Sequence, residues 1–411
     1  MDWHSLSIEV VCAFLRLKHP MNQSLFNIAL PIASIFSFRM LGLFMLIPVF
    51  TLYANHLEGA TPELIGLALG AYGLSQGLLQ IPFGLLSDRF GRKPMIAIGL
   101  LLFGLGSVLG AFTHHIYGMI AARVLQGMGA IGSVLIALLA DLTTEKERTI
   151  AMAIVGATIG LSFAVAFIIS PILAHSFGLS GIFDVSIALV FIAFIILYAV
   201  IPTPSKTPLV TEIPALERFK SILTDRSLLF LNFSIFCQHC LLTALFFYLP
   251  LQLAPLLNAQ HIESSWYFYL PILILSFLLM IPLITYTEKR KKTNTGMILS
   301  IFTILLTQFF LYSGSLLKIS ISLFCYFTAF NFLEAQLPSL ISKCAPTHYK
   351  GTAMGVYSSC QFVGIFAGGC LAGVSFQRFG ATGIFITTLG IAVLWLSLAI
   401  FLCRGRFLIK T

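Results

Sequence analysis

The chain has 411 residues, of which 58% are hydrophobic and only 9% charged. A soluble domain carries about 25% charged residues to keep its surface wet, so a water-exposed globular fold is excluded. A single membrane anchor is excluded too, because at roughly 20 apolar residues per crossing there is room for about twelve. The net charge of +9 is scattered in short runs between apolar segments, and no nucleic-acid partner is needed to explain it.

Taken in chain order, apolar runs predict helices near 27–54, 62–87, 94–112, 116–141, 149–174 and 180–201, then near 227–254, 264–287, 295–313, 317–342, 351–376 and 380–403. Strands are ruled out, since these runs far exceed the roughly 10-residue segments of a membrane barrel. The expected fold class is an all-α membrane protein of twelve transmembrane helices in two pseudo-symmetric six-helix bundles. Its parts are an amino-terminal tail (1–26), a bundle (27–201), a linker (202–226) rich in proline, a second bundle (227–403) and a tail (404–411). Residues 8–15 are too short an apolar run for a cleavable signal peptide.

Positive charge sets the orientation. With alternate connections placed on one side, 20 of the 24 Lys and Arg residues fall there. Such residues concentrate on the cytoplasmic face, so both termini are expected in the cytoplasm. Arg39 and Arg123 lie inside spans.

Arg148-Thr-Ile-Ala151-Met152 and Lys350-Gly-Thr-Ala353-Met354 repeat at an offset of 202 residues, each at the start of the fifth span of its half. Tyr72-x-x-x-Gln76 and Tyr357-x-x-x-Gln361 form a weaker echo, on spans that are not equivalent. Glycines recur four residues apart at Gly66/Gly70 and Gly73/Gly77, at Gly156/Gly160 and at Gly364/Gly368. In lipid, small residues at this spacing let helix backbones approach closely, either as static packing or as a face on which the halves slide.

The sharpest signal is the connection after the second span, Gly84-Leu-Leu-Ser-Asp88-Arg89-Phe-Gly91-Arg92-Lys93. A solvated basic turn accounts for the cations but not for Asp88 or the two glycines. This segment resembles the signature between the second and third helices of the major facilitator superfamily. Arg123-x-x-Gln126-Gly127 in the fourth span resembles a second family motif. In the fifth span Gly156-x-x-x-Gly160 is kept, but Leu161 stands where the family's antiporter pattern has proline. Phe38-Arg39-Met40-Leu41-Gly42, Leu337-Pro-Ser-Leu and Tyr349-Lys-Gly-Thr-Ala-Met resemble one bacterial inner-membrane member, which carries a soluble domain after its last helix.

The resemblance implies a gate. Asp88 would sit against the amino terminus of the eleventh helix near Gly351, where dipole and unpaired amides stabilise a carboxylate, and Arg92 would pair with Asp141. The implied lock comprises Gly84, Asp88, Arg89, Gly91, Arg92, Lys93, Asp141 and Gly351. The resemblance also places the first, fourth, seventh and tenth helices around a central cavity, where Arg39, Arg123, His239 and Glu334 stand. Charges inside the bilayer are costly and functional by default. Arg39 has the alternative of snorkelling to an edge, Arg123 of hydrogen bonding to backbone near the first helix, and His239 of plain packing. Glu334 is the first choice for a proton carrier, because apolar surroundings favour a protonated carboxyl; His239 is the second. Tyr72, Gln76, Gln126, Tyr357 and Gln361 complete the cavity candidates.

No zinc spacing, phosphate loop or nucleophile elbow is present, and Cys237-x-x-Cys240 lacks a second ligand pair nearby. The expectation is a transporter and not an enzyme: a monomer in the bacterial inner membrane, without a cofactor, moving a small molecule against protons. Uptake of an organic anion and a transporter-derived sensor are the alternatives.

Overall fold

The computed structural model describes residues 23–203, 215–262, 264–312, 315–346 and 349–404. The expected tails as far as residue 22 and from 405, and the linker stretch 204–214, lie outside the described residues.

The first predicted span is two helices, α1 (Gln23–Phe44) and α2 (Phe50–Ala54). The turn between them contains Pro48, which has no amide to donate and disfavours helix at the residue before it. Next come α3 (Pro62–Phe90) and α4 (Arg92–Phe112). Thr61 caps α3 by accepting from the Leu64 amide at 3.3 Å, and Pro62 fits its first turn. The fourth span is also broken, into α5 (Ile116–Met128) and α6 (Gly132–Leu142), at a stretch where Gly127, Gly129 and Gly132 weaken the helix. α7 (Glu145–Ile195) runs into a π-helical turn over Ile196–Val200. The short α8 (Ala215–Thr224) precedes α9 (Arg226–Ala259), α10 (Trp266–Lys289), α11 (Thr293–Leu311), α12 (Leu316–Cys344) and α13 (Lys350–Arg404).

Ten of these stretches are long and apolar enough to cross a membrane. Two of them, α7 and α13, reverse direction partway and cross twice, giving twelve traverses. The reversals sit at Gly178 (φ 66°, ψ −158°) and Gly380 (φ 59°, ψ −148°), a backbone region that is essentially glycine's alone. Phe177-Gly178-x-x-Gly181 and Phe379-Gly380-x-x-Gly383 fall at the same 202-residue offset as the Ala-Met echo. The duplication is therefore built into the backbone of both fifth-to-sixth hairpins.

The exterior is as apolar as the interior: Phe112, Phe191, Leu278 and Phe401 are each more than half exposed, as a lipid-facing surface requires. One buried cluster unites α1, α4, α6 and the start of α7, and a larger one unites α9 to α13. The halves meet where α3 lies along the first part of α13. A Cβ on Gly70 would stand 2.7 Å from the Phe366 carbonyl oxygen, and one on Gly373 2.6 Å from the Pro62 carbonyl oxygen; Gly66, Gly73 and Gly369 meet backbone equally closely. On its other side α13 sets Gly364 and Gly368 against the backbone of α9 at Phe236 and Cys240. Gly156 and Gly160 differ from the expectation of close packing: nothing lies within 4 Å of the space a side chain would take there.

Candidate functional site

The turn after α3 is tied within its own half. Gly91 takes φ 96° and ends α3, which starts α4 at Arg92 with its side chain turned back. The Arg92 guanidinium donates to Asp88 Oδ1 at 2.5 Å, to Ser87 Oγ at 2.6 Å and to Asp141 Oδ2 at 2.8 Å. Lys93 donates to the Ile201 carbonyl at the end of the π-helical turn, and Arg148 to the Ala140 carbonyl at 3.2 Å. Arg89 lies over the Phe90 ring. Gly84 faces Ser133, its absent Cβ 3.6 Å from the Ser133 hydroxyl. The expected Arg92–Asp141 pair is thus formed. Asp88 is not brought to Gly351: its carboxylate serves Arg92, and the space beside Gly351 is open for 4 Å.

The contact between the halves loosens towards Gly351. Contact between α3 and α13 is backbone to backbone from Pro62 and Gly373 to Gly73 and Phe362, then loosens to 3.1 Å at Gly77 and 3.8 Å at Gly355. Beyond it, nothing lies within 4 Å of the space a side chain would take on Gly351. Rings from both halves also pack together: Phe44, Phe163 and Phe167 at 5.1 and 4.6 Å, then Phe167 to Phe246 and Tyr269 at 5.3 and 5.4 Å.

Glu334 and His239, two single polar residues on different helices, are brought together. Gln361 on α13 donates to Glu334 Oε1 at 3.4 Å and contacts His239 Nε2 at 2.8 Å. Gln238 donates to Glu334 Oε2 at 2.9 Å and to the Phe330 carbonyl at 3.2 Å. His239 Nε2 is 3.9 Å from Glu334 Oε2, and its Nδ1 is 3.3 Å from the Ile235 carbonyl. With Gln361 as donor to Nε2, the proton of a neutral ring sits on Nδ1 and points at Ile235. Glu334 is midway along α12 between buried Leu333 and Leu337, yet its side chain is 41% exposed. Tyr357, one turn before Gln361, is buried. Gln238 was missed from sequence, although a polar residue in an apolar span was the same signal that marked His239.

The amino-terminal half holds a second polar cluster. Arg39 donates to the Tyr72 hydroxyl at 2.7 Å and to Gln76 Oε1; Gln76 donates to Gln80 Oε1 at 3.0 Å. Arg123 donates to Gln126 Oε1 at 2.7 Å, and Gln126 to Ser107 at 2.9 Å. Both guanidinium groups lie over the Tyr72 ring, 5.8 and 4.9 Å from its centre. Arg39, Arg123, Tyr72, Gln76 and Gln126 are all at most 2% exposed, so they are packed among their neighbours and do not line an open cavity. Arg39 does not snorkel, and Arg123 bonds a side chain. The Tyr-x-x-x-Gln echo supplies each half's cluster, and Tyr72 meets Phe362 edge-on at 6.3 Å.

The family model of the Major Facilitator Superfamily matches residues 32–369. The chain belongs to that superfamily. It is 42% identical over 375 residues to the inner membrane transport protein YajR of Escherichia coli (strain K12), covering 90% of this chain and 81% of that one. It is 38% identical over 130 residues to multidrug resistance protein 2 of Bacillus subtilis (strain 168), covering 30% of this chain and 32% of that one. A solved structure of a bacterial homologue of the human lysosomal transporter Spinster superposes with a TM-score of 0.72 at 13% identity, covering 92% and 96% of the two chains. The protein is a multi-pass membrane transporter of the major facilitator fold, and not an enzyme.

Proposed function

We propose that the chain is a proton-coupled secondary transporter that exports a small molecule by alternating access, with Glu334 as the proton carrier and His239 as its partner. The observation that carries this reading is the Glu334–Gln361–His239 group: a partly exposed carboxylate at mid-membrane, bridged to an imidazole by a residue on the helix that packs against the other half. An ionised Glu334 holds both glutamine amides as acceptor. Protonation weakens those charge-assisted bonds and frees Gln361, and with it α13, to shift along the glycine interface.

On this reading the protein acts as a monomer in the bacterial inner membrane, with both termini and the basic end in the cytoplasm. The open space beside Gly351 and the pairing of Asp88 with Arg92 support reading this conformation as parted on the cytoplasmic side, with the turn from Gly84 to Lys93 released. In the outward-facing state Asp88 turns from Arg92 to the amino terminus of α13 near Gly351. The partial likeness to a multidrug resistance protein supports export. The two buried arginines favour a second reading, proton-coupled uptake of an organic anion.

A comparison of metabolites and drugs in cells with and without the protein identifies the cargo. Proteoliposomes with an imposed pH gradient then separate the readings. Movement of cargo opposite to protons supports export, and movement with them overturns it in favour of uptake.

A further inference from the structure

We propose that the groove between the start of α9 and the end of α13 binds one anionic phospholipid, with its phosphate on Arg226 and one acyl chain between the two helices.

α9 starts at Arg226, and the second part of α13, after its reversal at Gly380, runs back to the same end and finishes at Arg404. The two pass antiparallel and are pinned where Trp395 Nε1 donates to Ser234 Oγ at 3.1 Å, both side chains being fully buried. Between that bond and the helix ends lies a cavity of about 250 Å³. Its walls are Leu229 and Phe233 on α9 and Leu398 and Leu402 on α13, each pair four residues apart and so on one face of its helix. Phe230, 3% exposed, closes it on the inside, and Phe233 is braced by stacking on Phe236 at 6.3 Å. Arg226, exposed at the helix start, is the charged member of the lining.

Size and charge select the occupant. Arg226 and Ser234 are separated by about 12 Å of helix, and about 250 Å³ over that length gives a mean cross-section of about 20 Å². That is the width of one extended hydrocarbon chain, whereas a helix from a second copy, about 10 Å across, does not enter. In a bilayer the tail alone confers little preference, because lipid tails are as apolar as the leucines they would replace. The headgroup decides. Arg226 offers a planar fork that matches phosphate, while its neighbour Asp225 is engaged as the cap of α9, accepting from the Leu228 amide at 2.9 Å. The sequence leading into α9 and out of α13 is basic: Arg218, Lys220 and Arg226 stand against Glu217 and Asp225, and Arg404, Arg406 and Lys410 follow with no acid among residues 404–411. Basic pockets between membrane helices suit anionic headgroups.

The test titrates purified full-length protein in detergent with phosphatidylglycerol or with phosphatidylethanolamine of identical chains, whose ammonium group neutralises its phosphate. Native mass spectrometry counts the bound lipids. One phosphatidylglycerol should bind before any further ones, at least about fivefold more tightly than phosphatidylethanolamine. Arg226→Gln should abolish that preference. Leu402→Trp, which fills the groove and keeps the charge, should weaken the first binding event for both lipids. A photoactivatable acyl chain on phosphatidylglycerol should cross-link within residues 226–233 or 398–402. Equal affinity for the two lipids in wild type, an unchanged preference in Arg226→Gln, or cross-links confined to other helices would overturn the proposal. None of these readouts depends on proton coupling at Glu334.

Discussion

Replacing Gly70 by alanine tests the interface between the halves directly. The added Cβ would lie 2.7 Å from the Phe366 carbonyl oxygen and 3.0 Å from its Cα, and both belong to a helix backbone that cannot rotate away. α3 and α13 must therefore part by several tenths of an ångström. Overpacking of this kind costs about 1–3 kcal/mol. The gain in helix propensity from glycine to alanine, about 1 kcal/mol, applies in every conformation and cancels. The state described here should thus lose roughly 5- to 150-fold in population relative to one in which this contact opens. Spin labels at Phe90 and Lys350, both exposed at the basic end, report the change by electron–electron resonance. The expected result is growth of a shorter-distance population in Gly70→Ala and more in Gly70→Val. Unchanged distance distributions in both variants would show that the close approach does not select the conformation.

Other outcomes follow from the same geometry. Gly156→Ala and Gly160→Ala, with open space at both sites, should leave melting unchanged or raise it, by at most about 1 kcal/mol each; a loss would mean that fifth-span contacts form in another state. Asp141→Asn removes a carboxylate that is 33% exposed from Arg92. Because such pairs are screened by solvent, a double-mutant cycle with Arg92→Gln should give a coupling of only about 0.5 kcal/mol in melting experiments, and a coupling of several kcal/mol would refute the picture of a surface staple. On the proposed reading Asp88→Asn should leave the conformation described here intact and destabilise the outward-facing one; unchanged cross-linking between α3 and the start of α13, with transport intact, would count against the lock.

Most of the fold was legible because lipid makes the code simple: long apolar runs must be helices, and cations mark one side. What escaped was the interruptions. The breaks at Pro48 and between Gly127 and Gly132 lie inside continuous apolar stretches, where hydropathy is blind and only local backbone chemistry speaks. The fifth-to-sixth hairpins could have been found, since Phe177-Gly178 and Phe379-Gly380 repeat at the offset already visible in the Ala-Met echo. For the site, lone polar residues in apolar spans identified Glu334 and His239, and chain order could not say that Gln361 would join them. Arg39 and Arg123 were marked by the same signal, but whether a charge faces a cavity or the interior of its own half depends on helix rotation, which a sequence pattern of uniformly apolar neighbours does not fix. Gly66 and Gly156 sit in identical Gly-x-x-x-Gly steps, and only the first meets a partner helix. Spacing permits close approach without supplying the neighbour.

The central claim is that Glu334 carries the proton that drives transport. Once a cargo is known, proteoliposomes containing wild type or Glu334→Gln can be compared in two modes: accumulation driven by a pH gradient, and exchange of labelled for unlabelled cargo with no gradient. The account expects Glu334→Gln to keep exchange, since the helices still alternate, and to lose gradient-driven accumulation. Accumulation at the wild-type level in Glu334→Gln would contradict it.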